Sequence, residues 1–344
     1  MAGRNSSLPD TDSATAVTQL ATQYFNKLYE FKGTNNEDTY EMISSIATSF
    51  ASTKNPVLDL IAASTVGSMD TRRKDMLDSY STTPSGKRTF QYSGLSKSAD
   101  VKQITNSTLR TTLINAIGAY ASQVTKKGIL ANAGYFNVED VAYRVAAGLG
   151  SYGIERYYAI IEGETSSGSD GRILDIKLQR FPSPYTYGGL SGSALTSYPT
   201  TSSQASRTQA AYKALIYRAD DHIGTITFDG KTYSVRERSP NKGSLDTTGY
   251  TATKLQNVAS LEGMSLASAH SKQDGKGAST FETQAYTDIN SFGIAKFATE
   301  LSNFAKAYAD QVRVDFGLFK QSYNANPSLW CGTTAGRKML QQFN

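Results

Sequence analysis

The sequence predicts an α+β fold: an antiparallel sheet containing a glycine-loop hairpin, flanked by N-terminal and C-terminal helical regions. Three observations carry this. Apolar residues recur at helical spacing over residues 1–134. Near residue 135 the pattern turns β-branched and aromatic, with turn residues at short intervals, and holds to 243. Helical spacing then returns over 244–344. The expected organisation is therefore a helical region 1–134, a sheet lobe 135–243 with one helix, and a second helical region 244–344.

In the first region Leu20, Tyr24, Leu28 and Phe31 share a helical face behind Asp12 and Ser13, a fitting N-cap pair. Met42, Ile46 and Phe50 repeat the spacing. Asn55-Pro56 places a capping residue before a proline at the first helical position, and Gly67 ends that helix. Asp70 opens another helix, Pro84, Gly86 and Gly94 interrupt it, and Asn106 or Ser107 caps a helix carrying Leu109, Leu113, Ile117 and Tyr120. Strands are expected at about 140–147, 154–163 and 172–180, and in the third Ile173, Asp175 and Lys177 alternate with Leu174, Ile176 and Leu178. A Ser/Thr/Gly/Tyr-rich loop (183–206) leads into a helix at about 204–219. Asp229-Gly230 then marks a tight hairpin turn. Leu255, Val258, Leu261 and Met264, and later Ile294, Phe297, Leu301, Phe304, Tyr308 and Val312, define the closing helices.

Composition narrows the function. Of 344 residues, 39% are hydrophobic and 19% charged, and no apolar run reaches a membrane span, so no membrane association is expected. The start lacks the apolar core of a secretory signal. A single cysteine, Cys331, rules out an intramolecular disulfide, and two histidines, His222 and His270, rule out a three-histidine zinc site. A reducing, cytoplasmic compartment is the expectation. The net charge of +5 is unclustered beyond Arg72-Arg73-Lys74 and Lys126-Lys127, and no nucleic-acid motif accompanies it.

Residues 148–153, Gly-Leu-Gly-Ser-Tyr-Gly, fit G-x-G-x-x-G. A dinucleotide fold needs a helix after such a loop, whereas here a strand pattern follows. The choice is between a phosphate-covering loop joining two strands, as in kinases, and an ordinary glycine hairpin turn. Lys177 sits mid-strand among aliphatic residues one hairpin further on, where an unpaired ammonium is costly to bury. Either it faces a nucleotide phosphate, as a kinase strand lysine does, or it lies on a solvent-facing edge strand. Together these residues define a candidate ATP site at Gly148, Gly150, Ser151, Gly153 and Lys177. Asp310, Asp315 and Glu300 share one expected helix and read as a solvated face rather than as metal ligands. His270 reads as a residue at a helix C-terminus or a structural hydrogen-bonding group.

The segments RVAAGLGSYGIERYYAIIEG with ILDIKLQ, SVRERSPNKGSLD, LASAHSKQDGKG and FAKAYADQVRVDFGLF, in that order, resemble a bacterial family of uncharacterised proteins, domain of unknown function 2252. The resemblance covers about 135–325 and extends less closely to the helices before it. That family is similar to protein kinases and aminoglycoside phosphotransferases, which implies a kinase-like fold and nucleotide binding. It also implies upstream H-G-D-x-H-x-x-N-F-G and N-D-F-D segments, resembling a catalytic-base loop and a metal-binding aspartate, and this chain carries neither. Alignment from Arg207 puts Ala210 where the glutamate partner of Lys177 would stand, and Pro240 replaces an aspartate. The expectation is weak ATP binding with an incomplete catalytic apparatus, no assignable catalytic residue, and no magnesium carboxylates that can be named. The alternatives are a non-catalytic interaction protein or remnant, and a phosphotransferase completed by another polypeptide. An unfilled cleft lined by helices 254–266 and 294–312 would favour a protein partner or self-association.

Overall fold

The computed structural model describes residues 7–41, 55–124, 134–145, 151, 153–165, 169–182 and 203–326. Met42, Ile46, Phe50, Lys126-Lys127, Gly148, Gly150, most of the Ser/Thr/Gly-rich stretch and Cys331 lie outside them. The fold is mixed α+β, and it divides into two compact units: 65–213 with 218–241, and 1–64 with 214–217 and 242–344. The two terminal helical segments thus belong to one unit, while the helices between 65 and 134 belong with the sheet.

The sheet unit begins with α1 (Met69–Tyr80), capped by Ser68, whose side chain accepts the Thr71 N–H. A short hairpin, β1 (Ser81–Thr82) and β2 (Thr89–Phe90), replaces the simple break that Pro84 and Gly86 suggested. β3 (Val101–Gln103) then opens the main sheet ahead of the region expected to hold all its strands. α2 (Ser107–Tyr120) is capped by Asn106, as its sequence implies. β4 (Val138–Arg144), β5 (Arg156–Ile161) and β6 (Arg172–Leu178) form the expected meander. α3 (Gln204–Leu215) follows, then the hairpin of β7 (Gly224–Phe228) and β8 (Lys231–Glu237). Asp229 and Gly230 both have positive φ, 48° and 67°, which the tight turn between twisted strands requires.

The strand order is β3-β4-β5-β6-β8-β7, antiparallel throughout. The hairpin is inserted so that β8, not β7, pairs with β6. On one face α1 packs Met76, Leu77 and Tyr80 onto Ala142, Tyr158, Ile160 and Ile173. The other face carries Tyr157, Phe228 and Tyr233 in mutual ring contact. There α2 lies against β4 and β7, with the Tyr120 ring filling the space above Gly224 and its hydroxyl donating to the His222 carbonyl. Just past α2, the Gln123 amide accepts the Thr225 N–H (3.0 Å) and donates to the Thr225 carbonyl (2.7 Å), closing the outer edge of β7.

The helical unit holds α4 (Asp10–Phe31) and α5 (Pro56–Ser64), which precede the sheet unit in the chain, and α6 (Ala252–Ser271), α7 (Thr280–Phe292) and α8 (Ile294–Ala325), which follow it. α4 starts two residues before the expected Asp12/Ser13 cap. Pro9 precedes it, and Asp10 and Asp12 fall in its first turn, where negative charge meets the helix dipole. Asn55 caps α5 as expected, accepting the Val57 N–H. α6 packs along α4 and buries Leu255, Val258, Leu261 and Met264. An open apolar cleft along 254–266 is therefore not present: that face is already covered. Phe304 and Tyr308 of α8 remain exposed, at 65% and 61%. No helix among the described residues is long and apolar enough to cross a membrane.

α6 approaches α4 tightly at Gly263, where a Cβ would overlap the Leu20 carbonyl oxygen and press on the Tyr24 nitrogen. Glycine-to-alanine in a helix ordinarily gains about 1 kcal/mol in propensity. Here the obstacle is the backbone of α4, which cannot swing aside as a side chain can, and overpacking of this kind costs about 1–3 kcal/mol. Gly263→Ala is expected to lower the urea midpoint; a raised midpoint would show that the two helices separate without cost.

Candidate functional site

The glycine-loop hairpin and the lysine strand meet at one end of the sheet. Gly148 and Gly150 lie outside the described residues, so the candidate site is represented by Ser151, Gly153 and Lys177. Gly153 has φ +73°, a conformation costly for any residue with a Cβ, and no heavy atom lies within 4 Å of where a Cβ would stand. Its carbonyl accepts a hydrogen bond from Arg180 (3.3 Å), just beyond β6, which ties this arm of the loop to the strand of Lys177. Below it the Leu178 N–H donates to the Glu155 carbonyl (3.0 Å). The Glu155 carboxylate accepts from Lys231 (2.6 Å) and Tyr233 (2.7 Å), anchoring the start of β5 to β8.

β6 is an interior strand, paired with β5 and β8, so the edge-strand reading of Lys177 fails. Register places Lys177 between Arg156 and Ser234, and Asp175 between Tyr158 and Arg236. Asp175, 4% exposed, is held by both guanidiniums. Arg156 grips it bidentately, one bond at 2.6 Å, and Arg236 approaches at 3.5 Å. Arg236 also donates to the Tyr212 hydroxyl of α3 (3.1 Å). Lys177 is half-buried and has no hydrogen bond or ion pair among the described residues. Burial lowers its pKa, with Arg156 and then Arg236 adding like-charge repulsion that Asp175 only partly offsets. A cleft of about 160 Å³ opens in front of it, lined also by Gln179, Thr208 and Tyr212.

No carboxylate of α3 reaches this cleft, because the helix contains none. Ala210, at the position aligned with a glutamate, is exposed. Three cations, Arg156, Lys177 and Arg236, thus face one carboxylate, and the cleft suits an anion.

A second cluster escapes sequence reading because only the fold brings the end of β8 onto the turn before β7. Asp220, His222 and Glu237 bring ligand atoms within 4.8 Å of one another. Their bonding is already committed. His222 contacts Asp220 through Nδ1 (3.0 Å) and the Tyr135 hydroxyl through Nε2 (2.7 Å). Glu237 accepts from Arg73 at 2.9 and 3.3 Å, with Arg172 at 3.6 Å. Burial alone would raise the Asp220 carboxyl, but hydrogen bonds from the His222 ring and from backbone N–H groups outweigh it and hold it below the usual range. A divalent ion would have to displace two guanidiniums, so this is a structural network closing the end of β8. His270 is likewise structural, its Nδ1 3.1 Å from the Tyr24 hydroxyl. Glu300, Asp310 and Asp315 are exposed on α8, with Gln311 donating to Asp315 (2.8 Å).

The model of the bacterial family described as "Uncharacterized protein conserved in bacteria (DUF2252)" matches residues 1–322, and the chain belongs to that family. The match takes in the helices before residue 135, beyond the motifs that carry the resemblance in sequence. No curated protein and no solved structure matches the chain.

Two variants should separate scaffold from site. Asp175→Ala leaves two facing guanidiniums and Lys177 without their counter-charge, and breaking a buried pair of this kind costs about 3–5 kcal/mol. Lys177→Met removes an uncompensated ammonium and is expected to leave the melting temperature unchanged or raise it. Thermal denaturation reads both; a clear loss of stability in Lys177→Met would make the lysine a structural residue.

Proposed function

We propose that this DUF2252 member is a nucleotide-binding domain of kinase-like build, catalytically incomplete as this chain. The observation that carries the reading is Lys177: an unpaired ammonium on an interior strand, acted on by two arginines and facing a cleft lined by α3 and β8, on the strand that Arg180 ties to the glycine-loop hairpin. Leaving such a group half-buried disfavours folding, and an anionic ligand would remove that penalty. The order of parts supports a phosphate ligand. In protein kinases a glycine loop between two strands covers the nucleotide phosphates and a lysine on the next strand pairs with them. Here the loop joins β4 to β5, Lys177 lies on β6, and Arg180 links strand to loop.

The catalytic half of that arrangement is not assignable. The helix after the lysine strand supplies no glutamate, and Asp175, the one carboxylate lining the Lys177 cleft among the described residues, is occupied by Arg156 and Arg236. Positioned bases and metal-held phosphates supply most of phosphoryl-transfer catalysis, so binding without turnover is the expected behaviour. Exposed Phe304 and Tyr308 on α8 support the second reading, an interaction protein with no ligand.

Calorimetry with ATP and ADP, with and without magnesium, tests the proposal. Weak binding is expected, reduced about tenfold or more by Lys177→Ala, the scale of losing one charge-assisted contact. No ATP hydrolysis or phosphotransfer is expected from the chain alone. Absence of heat with a folded protein at high ATP would leave the interaction reading; turnover that vanishes in Lys177→Ala would make the chain an active phosphotransferase.

A further inference from the structure

In the helical unit, independently of the Lys177 cleft, two glutamates are buried with no hydrogen bond from another residue. Glu37 lies in a 3-10 turn (Asn36–Thr39) beyond α4 and is 1% exposed; Glu282 lies in the first turn of α7 and is 0% exposed. Neither oxygen of either carboxylate receives a hydrogen bond from another residue. Asp274, of the 3-10 turn Lys272–Asp274 after α6, acts electrostatically on both carboxylates, and Glu37 acts on Glu282. Asp274 Oδ2 accepts the Thr280 and Phe281 N–H groups (2.8 and 2.9 Å), while Oδ1 is buried and unbonded. The hydroxyls of Tyr40 and Ser271, on the same two segments, are also buried without partners.

Lys272 attracts the Glu37 carboxylate, but burial and the neighbouring carboxylates outweigh it. Asp38 adds a fourth carboxylate, with one oxygen on the Gly277 N–H (2.8 Å). The neighbouring ammonium, Lys272, is turned to Ser268, its Nζ 2.6 Å from the hydroxyl and 3.4 Å from the carbonyl. Lys27 is paired with Glu30 (2.5 Å). The N–H groups at the start of α7 account for Asp274 Oδ2 and leave Asp274 Oδ1 and the four glutamate oxygens without a donor from another residue. Each buried charge left this way costs several kcal/mol, far beyond what a helix dipole returns. The donor set is all oxygen, with no histidine or cysteine, which suits a hard cation.

We infer that Glu37, Asp274 and Glu282 hold a hard divalent cation of the calcium or magnesium type, a site that pins the turn after α4 to the start of α7. Among the described residues only Asp220, His222 and Glu237 bring three such ligand atoms within 4.8 Å of one another, so closing Glu37, Asp274 and Glu282 on an ion requires a side-chain shift or a bridging water.

The full chain, stripped with a chelator, is melted with and without added calcium or magnesium chloride, and bound metal is counted by equilibrium dialysis. One ion per chain and a rise in melting temperature of several degrees are expected at metal concentrations well above Kd. Glu282→Gln and Glu37→Gln keep the shape and remove a buried charge. Both should fold at least as stably as the metal-free protein and lose the metal-dependent rise. Lys177→Ala should retain it, so failure here and failure of the nucleotide reading are told apart. No rise with either ion, or an equal rise in the two glutamine variants, would overturn the site.

Discussion

The Asp175 carboxylate is the interaction on which the sheet unit turns. It joins β5, β6 and β8 through Arg156 and Arg236 at the level where the sheet leaves its apolar core and opens into the cleft. Toward α1 the same face is Ile160, Ile173 and Ala142; toward the glycine loop it is charged. A buried carboxylate is tolerated only where its charge is matched, and two guanidiniums match it more than fully. The surplus leaves Lys177 without a carboxylate of its own. Stability and a ligand-seeking group thus arise from one arrangement, because the pairing that secures three strands also consumes the counter-charge that Lys177 would otherwise use.

The helical unit is built on a different constraint, the close approach of α4 and α6 at Gly263. That approach buries Ala16, Leu255 and Ala259 together and brings His270 onto Tyr24. It also joins segments on either side of the sheet unit in the chain, so that the turn carrying Glu37 and the start of α7 come together from some 240 residues apart in sequence.

Local chemistry was legible wherever a few adjacent residues decide the outcome. Asp229-Gly230 specifies its turn because both positions take positive φ. Asn55 and Asn106 specify helix starts because their side chains bond within three residues. The alternation through Ile173, Asp175 and Lys177 assigns β6 and its polar side. β1, β2 and β3 were not legible, since two or three residues carry no period. Nor was the joining of the two terminal helical segments, which rests on shape at Gly263. Within the candidate site the lysine was legible and its neighbours were not: Arg156 and Arg236 become partners of Asp175 only through strand register. Glu37 and Glu282 sit in polar stretches, and only tertiary packing buries them.

The amide of Gln123 on Thr225 has a meaning beyond the closing of one strand. An outer strand with free N–H and C=O groups is a template on which another chain can add itself. At Thr225 a single side chain offers the donor and the acceptor that an added strand would bring, so it imitates one residue of a neighbour that is not there. Unlike a charge or a proline, this device repels nothing and bends nothing; it occupies the place. Because Gln123 follows directly on α2, whose Tyr120 is fixed over Gly224, the guard is set when the helix docks, and the edge is protected as part of folding itself.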